Sequence, residues 1–315
     1  MTRIAILGAG AFGSALAIAL GRAEASRTVA LWGRGLAPGA RLSDRLPDHP
    51  LPSGVTVARS IQAATHGAST ILIALPMKAL GALGSELADV AAPVIACCKG
   101  IDPDTLTGPS AVLAAMTPAP VGVLTGPSFA HDIARGLPTA LSLALDHPSA
   151  ADTQQVLSTS TLRVYRTDDV TGAELGGALK NVLAIAAGAC AGAGLGQSAQ
   201  AALLTRGFAE ARAFALARGA RADTFAGLSG LGDLMLTAWS DGSRNYRYGL
   251  AIGQGHPPDP GMTVEGVATA AAIARLARRD ALDLPVLTMT HRLITGEIGI
   301  TNAVTALMAR PLKEE

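Results

Sequence analysis

The residues with chemistry to offer are few, because only 16% of the chain is charged. Gly8-Ala9-Gly10-Ala11-Phe12-Gly13 fits the spacing G-x-G-x-x-G. It follows a short apolar run, Ile4–Leu7, and opens an Ala-rich stretch of helical length, Ser14–Ala25. A second apolar run lies at Val29–Trp32. That context turns a weak pattern into a dinucleotide fingerprint. One glycine makes the tight turn, one lets the backbone approach a pyrophosphate, and one lets helix and strand pack closely. Phosphates meet free N–H groups at the helix start, so Gly8, Gly10, Ala11, Phe12 and Gly13 are the expected contacts. An NAD site places an acid about 20 residues after the glycines, for the ribose 2′-hydroxyl. Here Gly33-Arg34 stands in that place. A guanidinium suits a 2′-phosphate and stacks on adenine. NADP is therefore expected to be preferred, or at least tolerated beside NAD.

Other polar segments interrupt the apolar pattern at specific places. Cys98-Lys99-Gly100 closes one apolar run, and Thr125-Gly126-Pro127-Ser128-Phe129-Ala130 closes another. Gly177-Ala178-Leu179-Lys180-Asn181 puts a single lysine inside a long apolar stretch. Gly230-Leu231-Gly232-Asp233-Leu234 and Ser243-Arg244-Asn245 follow. Ligands of open α/β sheets bind beyond the carboxyl ends of the strands, and Lys99 and Ser128 come from such ends.

The elements that must position these residues read in two parts. Strand-like runs lie at Ile4–Leu7, Val29–Trp32, Val55–Ala58, Thr70–Leu75, Val94–Cys98, Val121–Leu124, Ala140–Leu145 and Leu162–Tyr165. Most are continuously apolar, as parallel strands buried on both faces require. Alternation with helical segments such as Ser14–Ala25 and Ile61–Thr65 predicts an α/β N-terminal Rossmann-type doubly wound sheet over residues 1–170. From about Thr171 strands cease, and Glu174–Cys190, Ala199–Arg218, Val267–Arg279 and Leu287–Thr295 read as helices. An all-α C-terminal domain over residues 171–315 is expected, with the boundary near Asp168–Gly172.

Composition excludes several classes. Of 315 residues, 49% are hydrophobic and 16% charged, which rules out disorder. Lys+Arg 25 against Asp+Glu 24 gives a net charge of +1, unlike a nucleic-acid-binding polyelectrolyte. Cys97 and Cys98 are adjacent and Cys190 is alone, so neither a disulfide framework nor a metal-type spacing exists. Buried thiols in a reducing cytoplasm are expected. No histidine cluster suggests a metal. The uncharged run Val182–Gly196 is too short and too rich in Ala and Gly for a membrane span. The uncharged run Ile4–Gly21, preceded by Arg3 and followed by Ala23-Glu24-Ala25, has the outline of a secretory signal. It is set aside because its glycines have the explanation above.

Taken together, the segments resemble the NAD(P)-dependent glycerol-3-phosphate dehydrogenase family of bacterial type, over essentially the whole chain. The residues carrying the resemblance are Gly8–Gly13, Leu31-Trp32-Gly33-Arg34, Lys99-Gly100, Gly126–Ala130, Leu179-Lys180-Asn181, Gly230–Leu234, Ser243-Arg244-Asn245 and Val264-Glu265-Gly266. The resemblance implies reduction of dihydroxyacetone phosphate to sn-glycerol 3-phosphate, the backbone precursor of phospholipids. It implies Lys180 as general acid/base and as a substrate contact, and Lys99 as a contact to both substrate and cofactor. Asp233, Ser243, Arg244 and Asn245 would bind substrate, with Gly126 and Ser128 completing that pocket. Ala130, Thr263, Glu265 and, secondarily, Arg244 would meet the dinucleotide. A small-molecule substrate, a cytoplasmic setting and a homodimer are the further expectations.

The chemistry agrees with these roles. Hydride addition to a ketone makes an alkoxide, which needs a proton donor and positive charge nearby. A buried lysine provides both, once desolvation and a second cation lower its pKa from about 10.4. Lys99 could be that second cation. Arg244 offers a fork suited to a phosphate tail.

Some positions depart from the family pattern. Gly255-His256-Pro257-Pro258-Asp259-Pro260-Gly261 is short and Pro-rich where a longer helical stretch is usual, which bears on Thr263 and Glu265. Ala11 and Phe12 replace the more usual hydroxyl and aromatic pair, and Met77-Lys78 is bulkier than the small polar residue expected there. His131, just after the Gly126–Ala130 motif, is an alternative acid. Two other readings stand beside this one: a hydroxyacid dehydrogenase of the same architecture, and a non-catalytic NADPH sensor. The first would not need Arg244-Asn245, and the second need not keep Lys99, Lys180 and Asp233 together.

Overall fold

The computed structural model describes residues 2–23, 26–41 and 45–311. The charged end Lys313-Glu314-Glu315 and part of Ala23-Glu24-Ala25 lie outside the described residues.

Each apolar run expected to be a strand is one. They are β1 (Thr2–Leu7), β2 (Arg27–Trp32), β3 (Val55–Val57), β4 (Thr70–Ile73), β5 (Val94–Ala96), β6 (Val121–Thr125), β7 (Thr139–Ala144) and β8 (Leu162–Thr167). They form one 8-stranded sheet in the order β3-β2-β1-β4-β5-β6-β7-β8. In β1, Ile4 and Ile6 enter one apolar cluster while Ala5 and Leu7 enter another on the opposite face. That double burial is why the run is continuously apolar.

The chain leaves β1 toward β2 on one side and returns to β4 on the other, with Ile4 in register with both Val29 and Thr70. The order therefore reverses at the carboxyl end of β1, where the glycine turn sits, and such a reversal opens a crevice for ligands. One feature differs from an all-parallel expectation. β7 runs antiparallel to β6, with Val123 opposite Ala144, and β8 is parallel to β7. The link from β6 to β7 carries a single short helix, and a parallel return needs a longer crossover. β8 alternates buried and exposed residues through Leu162–Tyr165, so one face of this edge is uncovered.

The helices of the sheet region are α1 (Ala11–Ala23), α2 (Ile61–Thr65), α3 (Pro109–Ala114), α4 (Ala130–Arg135) and α5 (Ala150–Leu157), with a broken 3₁₀ segment at Met77–Leu87. Beyond β8 the structure is helical: α6 (Val170–Gly192), α7 (Gln197–Leu216), α8 (Ala222–Ala226), a π turn at Leu228–Gly232, α9 (Asp233–Thr237), α10 (Arg244–Gly253), α11 (Glu265–Arg279), α12 (Pro285–Ile294) and α13 (Ile300–Met308). The Asp169 side chain caps α6 by accepting from the Gly172 N–H at 2.7 Å.

α6 is the axis of this half. The uncharged run Val182–Gly196 is too short to span a membrane, but the helix containing most of it has 23 residues and is apolar enough to do so. Burial rather than length decides the matter, since 89% of its apolar window lies inside the protein. The Ala and Gly content has a packing cause. α10 lies against α6 at backbone contact: a Cβ on Gly249 would stand 2.0 Å from the Ile185 carbonyl oxygen, and one on Gly188 2.1 Å from that of Tyr246. Neither contact has room for a methyl group. Gly249→Ala is therefore expected to lower unfolding free energy by about 1–3 kcal/mol, the usual cost of overpacking, as read from a denaturant melt.

Candidate active site

The glycine turn separates into residues the protein needs and one it does not. Gly8 has φ +122°, and a Cβ there would lie 2.4 Å from the Ala74 carbonyl oxygen. A Cβ on Gly13 would lie 1.9 Å from the carbonyl oxygen of Gly8. These two glycines close the turn and seat α1 on it. Gly10 is exposed, and a Cβ there would meet nothing within 4 Å. The fold itself leaves room for a side chain at Gly10, beside the start of α1. Ala11 and Phe12 open the helix and pack partly against the first apolar cluster. Gly33 packs on this turn, since its Cβ would lie 2.4 Å from the Ala9 Cβ. That contact sets Arg34 beside the turn, exposed and in none of the ion pairs among the described residues.

The two lysines meet. Lys99 follows the end of β5, Lys180 lies on α6, and Asp233 opens α9. Lys99 Nζ pairs with Asp233 Oδ2, while Lys180 Nζ lies 3.2 Å from Asp233 Oδ1. The side chains are 14%, 9% and 2% exposed for Lys99, Lys180 and Asp233, so water screens the cluster poorly. Lys99 Nζ also donates to the Gly126 carbonyl at 3.2 Å, and the Ser128 hydroxyl donates to that same carbonyl at 3.3 Å. Lys180 Nζ donates to Thr237 Oγ1 at 2.8 Å, and Thr237 Oγ1 donates to Asp233 Oδ1 at 3.2 Å. Thr237 was not among the expected residues. The signal for it is the i,i+4 spacing from Asp233, which puts both on one face of α9.

Burial brings the Lys180 ammonium down to about 8, and Lys99 pushes the same way, against Asp233 and Glu265. Glu265 opens α11 despite the Pro-rich segment before it, and the Lys99 backbone N–H favours its ionised form. Burial raises the Glu265 carboxyl, opposed first by Arg244 and then by Lys99 and Lys180. The lowered Lys180 fits a buried site that holds a second cation, whereas the Glu265 carboxyl rises because burial outweighs the positive charge around it.

The remaining expected residues are distributed around this cluster. Ser243 caps α10 by accepting the Tyr246 N–H at 3.2 Å. Arg244 is exposed at the start of that helix, where its charge bears on Glu265. The Asn245 amide donates to Asn181 Oδ1 at 2.8 Å and accepts the Gly266 N–H at 3.0 Å, tying α10 to α6 and α11. Asn181, next to Lys180, thus anchors α10 on α6 through Asn245. Ala130 opens α4 and is half-buried, and Thr263 is exposed. His131 does not enter the lysine cluster. Its Nδ1 lies 3.3 Å from Nε2 of His49, with the rings edge to face. Cys97 and Cys98 are buried thiols, and burial pushes Cys97 up to about 12 despite Lys99, so neither is a nucleophile.

A glycine turn at the switch point of the sheet, with buried lysines beyond the neighbouring strand ends, defines an NAD(P)-dependent dehydrogenase. Comparison with known proteins gives the family. The N-terminal model of NAD-dependent glycerol-3-phosphate dehydrogenase matches residues 3–151, and the C-terminal model matches residues 169–305. The chain is 52% identical over 316 residues to a glycerol-3-phosphate dehydrogenase [NAD(P)+] of Cereibacter sphaeroides, covering 99% of this chain and 100% of that protein. It is also 52% identical to the Paracoccus denitrificans protein of the same name, covering 99% of each. The crystal structure of a Coxiella burnetii glycerol-3-phosphate dehydrogenase superposes with a TM-score of 0.89 at 33% identity, covering 98% of this chain and 99% of that one. The chain belongs to the NAD-dependent glycerol-3-phosphate dehydrogenase family.

The split among the glycines gives a test. Gly10→Ala is expected to melt like the parent and to weaken NADPH binding at least about tenfold, or ~1.4 kcal/mol. Gly13→Ala is expected to melt lower. Thermal scans and a nucleotide fluorescence titration measure the two effects.

Proposed function

We propose that this chain reduces dihydroxyacetone phosphate to sn-glycerol 3-phosphate, with Lys180 as general acid in that direction and general base in the reverse. The observation that carries the reading is the meeting of Lys99 and Lys180 on one buried carboxylate, Asp233. As a ketone carbon becomes tetrahedral, its oxygen gathers charge and needs a proton and a fixed cation. Lys180 releases the proton from Nζ, and Lys99 supplies the standing positive charge. Asp233 and Thr237 aim Nζ of Lys180. Arg244 offers its fork to the phosphate tail, and Gly126, Ser128, Ser243 and Asn245 line the substrate.

A nicotinamide dinucleotide would supply the hydride when bound. Gly8, Gly10, Ala11, Phe12, Gly13 and Arg34 would hold it, with Lys99, Ala130, Arg244, Thr263 and Glu265 completing its contacts. Residues 1–170 form the dinucleotide-binding part in this reading, and residues 171–315 the substrate-binding and catalytic part. Supply of the phospholipid backbone, a cytoplasmic setting and a homodimeric assembly belong to the same reading.

The decisive experiment is loss of NADPH absorbance when dihydroxyacetone phosphate is added. A protein that binds NADPH and shows no such loss overturns the proposal. Lys180→Ala is expected to cut turnover by about 10²–10⁴-fold with NADPH binding retained. Only the protonated amine can donate, so wild-type kcat for reduction is expected to fall as pH rises through about 8. Oxidation of glycerol 3-phosphate needs the neutral amine and is expected to rise over the same interval. Arg34→Ala is expected to lower kcat/KM with NADPH about tenfold while sparing NADH, the loss of one charge-assisted contact. Equal losses with both cofactors would remove Arg34 from the 2′-phosphate.

A further inference from the structure

Thr125 ends β6 beside the lysine cluster, and none of the roles above uses its side chain. Strand alternation places it on the same face as Val123, the face covered by the apolar cluster that includes Val170 at the start of α6. The residue is 0% exposed, yet its hydroxyl has no hydrogen-bond partner among the described residues. A buried hydroxyl left unpaired is costly, so its retention calls for a cause.

Its neighbours suggest one. A Cβ built on Gly177 would lie 2.8 Å from Thr125 Oγ1, and 3.5 and 3.6 Å from Cγ and Cδ of Lys99. The hydroxyl, the bare Cα of Gly177 and the Lys99 stem therefore share one contact. Gly177 precedes Lys180 by one helical turn, so this contact also sets how closely α6 brings the two lysines together. The Lys99 ammonium now donates to the Gly126 carbonyl and to Asp233. An anionic substrate would compete with Asp233 for that ammonium, and the Lys99 stem already runs beside a neighbour with unused lone pairs, Thr125 Oγ1.

We propose that Thr125 is a positioning residue of this active site, whose hydroxyl receives the Lys99 ammonium when bound substrate draws it from Asp233. The inference rests on the dihydroxyacetone phosphate reading above. It predicts that the hydroxyl matters in the substrate complex and not in the resting fold.

Thr125→Val keeps the shape and removes the hydroxyl. It is expected to melt at or above the wild-type temperature and to bind NADPH equally, by fluorescence titration. Its kcat/KM for dihydroxyacetone phosphate is expected to fall about tenfold, the loss of one hydrogen bond to a charged group. Thr125→Ser, which keeps the hydroxyl, is expected to remain within about twofold of wild type on the same scale. A Thr125→Val enzyme with wild-type kcat/KM overturns the inference and leaves the hydroxyl a structural group only. Should that variant not fold, Thr125→Ala and Thr125→Ser decide: equal kinetics in the two overturn it, and a loss confined to Ala supports it. Wild-type protein that fails to oxidise NADPH with dihydroxyacetone phosphate sinks the functional reading itself. Wild-type turnover with an unaffected Thr125→Val sinks only this inference.

Discussion

Two ammonium groups stay together away from water only if a carboxylate lies between them. Asp233 fills that place, taking Lys99 on one oxygen and Lys180 on the other. Removing one partner from such a buried arrangement typically costs about 3–5 kcal/mol, because the remaining charge is left without compensation. The same burial brings Lys180 to about 8, within reach of neutral pH. The feature that makes the site difficult to bury is therefore the one that makes its lysine a usable acid. Thr237 and Glu265 belong to the same balance, one aiming the amine and the other adding negative charge.

That cluster depends on backbones approaching closely. Lys99 comes from the sheet, Lys180 from α6 and Asp233 from α9, so three elements must converge within a few ångströms. Glycine permits this at each junction. Gly177 meets Thr125 and Lys99, Gly176 meets Ser229 and Gly230 of the π turn, and Gly188 and Gly249 join α6 to α10. The low aromatic content, 3%, belongs with this style of packing, in which small residues bring main chains together. The Ala and Gly content that argued against a membrane span in this stretch is the signature of a tightly docked core helix.

The alternative readings lose ground on the same geometry. A sensor of NADPH has no need to bury two lysines on one aspartate. A hydroxyacid dehydrogenase would share the glycine turn but not the Ser243-Arg244-Asn245 start of α10, which sits beside Glu265 through Arg244. His131 offers no competing acid, because it stands with His49 outside the lysine cluster.

The sequence by itself determined the strands, since each is a short apolar run buried on both faces or at an edge, and the glycine turn, since its spacing follows from backbone geometry. It also marked Lys99, Lys180 and Asp233, because charge is conspicuous in an apolar setting. Only the tertiary structure decided that those three touch, for they are separated by long stretches of chain and no local pattern encodes their distance. It decided the reversal at β7, which depends on the path of the link after β6. It placed the Ser243 and Asn245 side chains in bonds that hold helix ends together. Thr125 was invisible beforehand, since a threonine is ordinary in any sequence, and the i,i+4 spacing of Thr237 from Asp233 gained meaning only once its neighbours were known.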